Sequence, residues 1–189
     1  MQNGIRLYVI RHGEAEGNRP EDPLTSTGKE QANQLADFLI QQGEVKVDRL
    51  ISSPYIRAQQ TAEIIDRRLN IDFLTDDRLR ELDFGNASDD VDLKGQLRIH
   101  FQDFELKFER GESNRDVMER VSALVNELLQ SSSEGMFILI THRVTMTLLL
   151  RYFDESFGFI QCMKMTNPDV YVVTSENGNI RVEDIWLKD

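Results

Sequence analysis

IRLYVIRHGEAEGN, residues 5–18, carries a short, largely apolar and β-branched run straight into Arg11, His12 and Gly13. Such a run predicts a strand covered on both faces, the kind found inside a parallel sheet. The charged residues then stand at the strand's carboxyl end. In an open α/β sheet that is where the ligand crevice lies.

Working outward, PLTSTGKEQANQLADFLIQQG predicts a crossover helix. Thr27 and Glu30 have capping-box spacing, Ala32, Leu35, Ala36 and Leu39 share one face, and Gly43 is the stop. VDRLISSP is a second strand, and Pro54 suits the first turn of a helix through YIRAQQTAEIIDRRL. Beyond Asn70 no period is clear, and the stretch reads as loop. QLRIHFQDFELKFERG sets Phe101, Phe104 and Phe108 at helical spacing, as a small lid whose phenylalanines pack and whose His100 is exposed. GESNRDVMERVSALVNELL opens with Ser113 and Asp116 as a capping box and continues with a core stripe, Val117, Val121, Leu124, Val125 and Leu128. MFILIT is a third buried strand, followed at once by His142 and a helix through RVTMTLLLRYF. VYVVT and IRVEDIWL form a hairpin around Asn177 and Gly178, with Trp186 as packing in the terminal strand. The expectation is an α/β three-layer sandwich with a mostly parallel sheet, an antiparallel edge strand and a small helical lid. Residues 1–189 make one domain, with the lid inserted at about 86–111.

Lys and Arg number 22 against 33 Asp and Glu, a net charge of −11. That field repels nucleic acid, and it requires an anionic substrate to be held by a few placed cations. The single Cys162 excludes an internal disulfide and fits a reducing, cytoplasmic setting. No apolar run is long enough for a membrane span. Asp83, Asp89, Asp90 and Asp92 match no calcium-loop spacing and read as a solvated acidic loop.

Three strand ends thus carry Arg11–His12, Ser52–Ser53 with Arg57 behind, and His142. Planar guanidinium groups suit a phosphoryl group, which spreads charge over several oxygens. A neutral imidazole has a nitrogen free to attack phosphorus when its other nitrogen is tied to a carbonyl, and Gly13 permits the turn that brings one near. A second, partly protonated histidine would stabilise charge, and Glu81 is a candidate acid for the leaving oxygen.

RHGEAEGN, PLTSTGKEQA, SSPYIRAQQTA, LRELDFGN and THRVT occur in an order and approximate spacing that resembles the histidine phosphatase superfamily, the phosphoglycerate-mutase-like proteins. The resemblance implies that His12 is the phosphorylated nucleophile and Glu81 the proton donor. It implies that Arg11, Arg57 and His142 form the phosphate pocket, lined also by Asn18. It implies neither metal nor organic cofactor, and a small phosphorylated substrate. The chain departs from the pattern at Ala15, where a hydroxyl residue is common, and at Arg143, where glycine is usual. Arg143 would strain the turn or crowd the pocket if the position needed positive φ or close backbone approach, supply an ordinary backbone N–H if it did not, or extend the pocket toward more acidic substrates. Hydrolysis of a phosphomonoester is the expected reaction. A mutase and a non-catalytic phospho-ligand-binding module are the alternatives, and the C-terminal edge strand leaves room for a homodimer.

Overall fold

The computed structural model of the protein describes residues 4–42, 47–85, 92–131, 134–176 and 179–186. Strand β1 (Ile5–Arg11) leads to α1 (Ser26–Gln41), β2 (Arg49–Ser52), α2 (Ile56–Leu69) and β3 (Phe73–Thr75). After a 3-10 turn at Asp77–Leu79 come α3 (Leu93–Gln102), α4 (Asn114–Ser131), β4 (Gly135–Thr141), α5 (Arg143–Arg151), α6 (Phe159–Lys164), β5 (Asp169–Glu176) and β6 (Asn179–Asp184). The sheet order is β3-β2-β4-β1-β5-β6. The first four strands are parallel, with Ile5 beside Gly135 and Arg11 beside Thr141, while β5 and β6 are antiparallel.

Alternation along β1 divides the core. Ile5, Leu7 and Val9 face α4 and α5 through Val121, Leu124 and Leu148, whereas Tyr8 and Ile10 face Leu35, Ala36, Ala58 and Ala62 of α1 and α2. The expected three-layer sandwich is therefore the fold, because each face of so apolar a strand requires its own helical cover. Among the described residues no helix is long and apolar enough to cross a membrane.

The Ser113–Asp116 capping box forms reciprocally at the head of α4, Ser113 N–H to Asp116 Oδ2 at 2.9 Å and Asp116 N–H to Ser113 Oγ at 3.1 Å. At α1 the cap is Thr25 rather than Thr27, since Thr25 Oγ1 accepts from Gly28 N–H at 2.9 Å. The segment after Asn70, read as loop, contains β3, an edge strand of three residues that is too short to show a period. Its Leu74 is exposed. Gly43, Asn177, Gly178, Asp89 and Asp90 lie outside the described residues. Trp186 stands just past β6 and packs edge-on against Phe38, with ring centroids 5.3 Å apart.

One close approach fixes the loop after β1. A Cβ on Gly28 would overlap the Glu14 carbonyl oxygen, and one on Gly13 would stand 2.5 Å from the Gly28 carbonyl oxygen. Gly28→Ala is expected to cost about 1–3 kcal/mol, because backbone rather than a flexible side chain must move. Gly95→Ala in α3, where the nearest atom would be 3.8 Å away, is expected to be neutral or to stabilise by about 0.5–1 kcal/mol. Thermal unfolding of the two variants checks the contrast.

Candidate active site

The carboxyl ends of β1, β2 and β4 converge. His12 N–H donates to Thr141 O at 3.1 Å and Ser53 N–H to Ile140 O at 2.9 Å, so both loops are tied to β4. The His12 ring is buried, and its Nδ1 lies 2.6 Å from the Gly13 carbonyl. A carbonyl only accepts, so Nδ1 carries the proton and Nε2 keeps its lone pair. Arg57 Nε donates to that Nε2 at 3.1 Å. Burial is the main cause of a His12 pKa pushed down to about 3, the charges of Arg11, Arg57 and Arg143 adding to it. The imidazole is neutral at physiological pH.

Each arginine is oriented by main-chain carbonyls. Arg11 Nη1 donates to Met165 O at 3.0 Å and Thr166 O at 3.1 Å, and Arg57 Nη1 to Arg19 O at 2.6 Å. The Arg57 guanidinium also lies over the Tyr55 ring, 5.0 Å from its centroid. Burial, then the neighbouring Arg143, lower the Arg11 pKa to about 10.

His142 is buried behind His12, ring centroids 5.0 Å apart in an edge-on arrangement. Burial holds its pKa well below the ordinary histidine value. This corrects the expectation of partial protonation: in the protein as it stands, His142 is neutral. Ser53 Oγ lies 2.7 Å from His142 Nε2. His142 Nδ1 is buried with no partner among the described residues, and it carries the ring proton in the tautomer in which the Ser53 hydroxyl donates to Nε2. Nothing in the sequence alone assigned Ser53 this task.

Glu81 caps α5. Its Oε1 accepts from Leu82 N–H at 2.9 Å and from the N–H and hydroxyl of Thr145, both at 3.0 Å, while Oε2 accepts only from Val144 N–H at 3.1 Å. Oε2 is thus the oxygen with capacity left. The loop carrying Glu81 is braced by Arg120, which donates to Arg78 O at 2.6 Å and pairs with Glu112 at 2.9 Å. Glu112 in turn receives Arg80 at 2.5 Å and donates its own N–H to Asp83 O at 2.7 Å. This brace of charged residues carried no motif.

Arg11, His12, Asn18, Arg57, Glu81 and Arg143 line one cavity of about 470 Å3, walled elsewhere by Tyr55, Leu82, Phe84, Leu93 and Leu97. The last two come from α3, so this helix does lie over the cavity, although residues 86–91 are not described. Arg143 is the first residue of α5 with ordinary helical backbone, not positive φ, so the turn after His142 is unstrained. Ala15 lies outside the cavity wall and pairs with Leu24. His100 corrects a second expectation: it is fully buried, its ring 5.2 Å from both Phe84 and Phe108. The spacing of Leu97, His100, Phe101 and Phe104 would have indicated a packed face.

Three buried histidines make the fold sensitive to acid. Burial lowers the pKa of His12, His142 and His100 below the unfolded value, so the stability they contribute is fully present above about pH 6.5 and is lost as pH falls toward their folded values. His12 alone, titrating at about 3 when folded, is expected to cost about 2 kcal/mol between pH 7 and pH 5. Denaturant titrations of the parent and His12→Ala at the two pH values check this, the variant showing the smaller loss.

The model of the histidine phosphatase superfamily (branch 1) matches residues 7–187. The probable phosphoglycerate mutase GpmB of Proteus mirabilis (strain HI4320) is 31% identical over 160 residues, covering 77% of this chain and 73% of that protein. Mycobacterial glucosyl-3-phosphoglycerate phosphatase, solved with VO3, is 25% identical with a TM-score of 0.78 over 96% of this chain and 98% of that one. The phosphoglycerate mutase from Bacillus anthracis str. Sterne shares the fold at 20% identity, with a TM-score of 0.76 over 97% and 93% of the two chains.

Proposed function

The chain is an enzyme of the histidine phosphatase superfamily, branch 1, and from that premise we propose that it hydrolyses a small phosphomonoester through a phosphohistidine on His12. The observation that carries this reading is the His12 ring itself: Nδ1–H bound to Gly13 O, neutral, with Nε2 turned to Arg57. On substrate binding, Arg57 exchanges His12 Nε2 for phosphoryl oxygens, and Arg11 and Nδ1–H of His142 supply further donors. Nε2 forms a bond to phosphorus as the bond to the leaving oxygen breaks, and Glu81 Oε2 gives that oxygen its proton. Glu81, now a carboxylate, takes a proton from water as the water oxygen attacks phosphorus. The N–P bond then breaks, releasing inorganic phosphate and neutral His12.

Hydrolysis is favoured over transfer within the substrate because the cover is small. Among the described residues of α3 only Leu93 and Leu97 line the cavity, too little to keep water from the intermediate. The relatives named above include both a phosphatase and mutases. Arg143 is what favours a non-catalytic module, and ordinary backbone there takes away strain as a ground for it. The test is a nitrophenyl phosphate and 3-phosphoglycerate assay with chelator present, following release of inorganic phosphate against formation of 2-phosphoglycerate, together with alkaline-quench trapping of label on histidine. Phosphate release with a base-stable, acid-labile label supports the proposal, and isomer formation without release overturns it in favour of a mutase.

A further inference from the structure

We infer that Arg143 selects substrates carrying a second anionic group, a carboxylate or another phosphate, beside the phosphoryl group that His12 attacks; the inference rests on the phosphoryl-transfer reading above and narrows its substrate class. Arg143 stands at the first position of α5, next in sequence to His142, and its side chain lines the same cavity as Arg11 and Arg57. The three guanidinium groups differ in how they are engaged. Arg57 is bound to His12 and to the Arg19 carbonyl, and Arg11 to two carbonyls. The Arg143 guanidinium makes no hydrogen bond or ion pair with any described residue, and its Nε, like that of Arg11, is buried without a partner.

Arg143 is half-buried, and only its Nε–H is closed off without an acceptor; that is unfavourable for a cation, and a like charge nearby makes it more so. Its charge is close enough to Arg11 and His12 to depress the pKa of both. The two acids of the cavity wall do not answer it. Glu81 makes no bond to Arg143, its Oε1 being held by Leu82 and Thr145 and its Oε2 by Val144 N–H, and Asp83 is exposed, its Oδ1 accepting from Gly85 N–H at 2.8 Å. With Glu81 carrying the proton it delivers, a phosphomonoester dianion balances two of the three arginine charges and leaves one over. In a chain of net charge −11 a surplus cation in the pocket is a local arrangement rather than a general basic surface. A second anionic group on the substrate would relieve it, and a planar guanidinium matches either oxyacid. The remaining wall, Tyr55, Leu82, Phe84, Leu93 and Leu97, suits an apolar body joining the two groups.

Calorimetric titration with phenylphosphonate, 4-carboxyphenylphosphonate and 1,4-phenylenediphosphonate, on the parent, Arg143→Gln and Arg143→Lys, tests this without requiring turnover. The second anionic group is expected to tighten binding to the parent by about tenfold or more. That gain should disappear in Arg143→Gln and survive in part in Arg143→Lys, while phenylphosphonate binds all three alike. Gain with the diphosphonate alone would identify the second group as a phosphate, and gain with the carboxylate as well would admit both. Equal affinity of all three ligands for the parent, or no binding of any, overturns the inference. So does a variant that weakens all three equally, which would place Arg143 on the reacting phosphoryl group. Phosphohistidine labelling of the parent reports on the reaction separately: label without the affinity gain refutes the second site alone, and the gain without label refutes the reaction alone.

Discussion

His12→Ala is expected to lower turnover by about 10⁴-fold or more and to abolish the acid-labile phosphoryl label, with the fold intact. The ring has the geometry of a nucleophile: its tautomer is fixed by Gly13 O and its free nitrogen faces Arg57. His142 cannot take over the attack. It is buried behind His12, and its Nε2 is occupied by Ser53. Arg11 and Arg57 owe their orientation largely to main-chain carbonyls of residues 165, 166 and 19, not to the His12 ring. His12→Ala should therefore still bind inorganic phosphate, with affinity within a few-fold of the parent. Label retained on another residue of the variant would show that the assignment of the nucleophile is wrong.

Glu81 gives the second large effect, because its carboxyl does two things at once. Glu81→Gln removes the proton while leaving an oxygen for the Thr145 and Leu82 donors, and Glu81→Ala removes the cap of α5 as well. Both are expected to lower turnover of an alkyl phosphate by about 10²–10⁴-fold. With nitrophenyl phosphate, whose leaving oxygen needs little protonation, the loss should be at least tenfold smaller. Stability separates the variants differently, Glu81→Ala costing about 1–2 kcal/mol as a lost helix cap. If the two substrates lose activity equally, Glu81 acts only through the position of α5 and not as an acid. The Arg120–Glu112 brace makes that comparison readable, since it holds the Glu81 main chain independently of the side chain.

Much of this was legible in the chain because it depends on local pattern. β1, β4, α2 and α4 announce themselves by continuous apolar runs or a stripe at helical spacing, and those features survive any tertiary setting. Once strands and helices alternate, handedness and sheet order follow from few options, and the strand ends carrying Arg11, His12 and His142 must meet. Nothing local distinguished β3, three residues long, or chose Thr25 over Thr27 as the cap, since both hydroxyls precede the same apolar face.

Tertiary structure alone decided the states of the charged and polar groups. Whether His142 is protonated depends on its complete burial and then on His12, Arg57 and Arg11, brought beside it from far away in sequence. Whether His100 meets water depends on Phe84 and Phe108 closing over it from outside its own helix. Arg143 could be read from the sequence as strain, as a neutral backbone donor or as an added cation. The turn's ordinary φ removes the first of these, and the absence of any described partner for its guanidinium is the observation from which the last is proposed. Sequence fixes which groups a chain owns and roughly where along each element they stand. Burial and the partners met across the fold set the charge they carry, because desolvation and hydrogen bonding are properties of a surrounding volume and not of a neighbour in the chain.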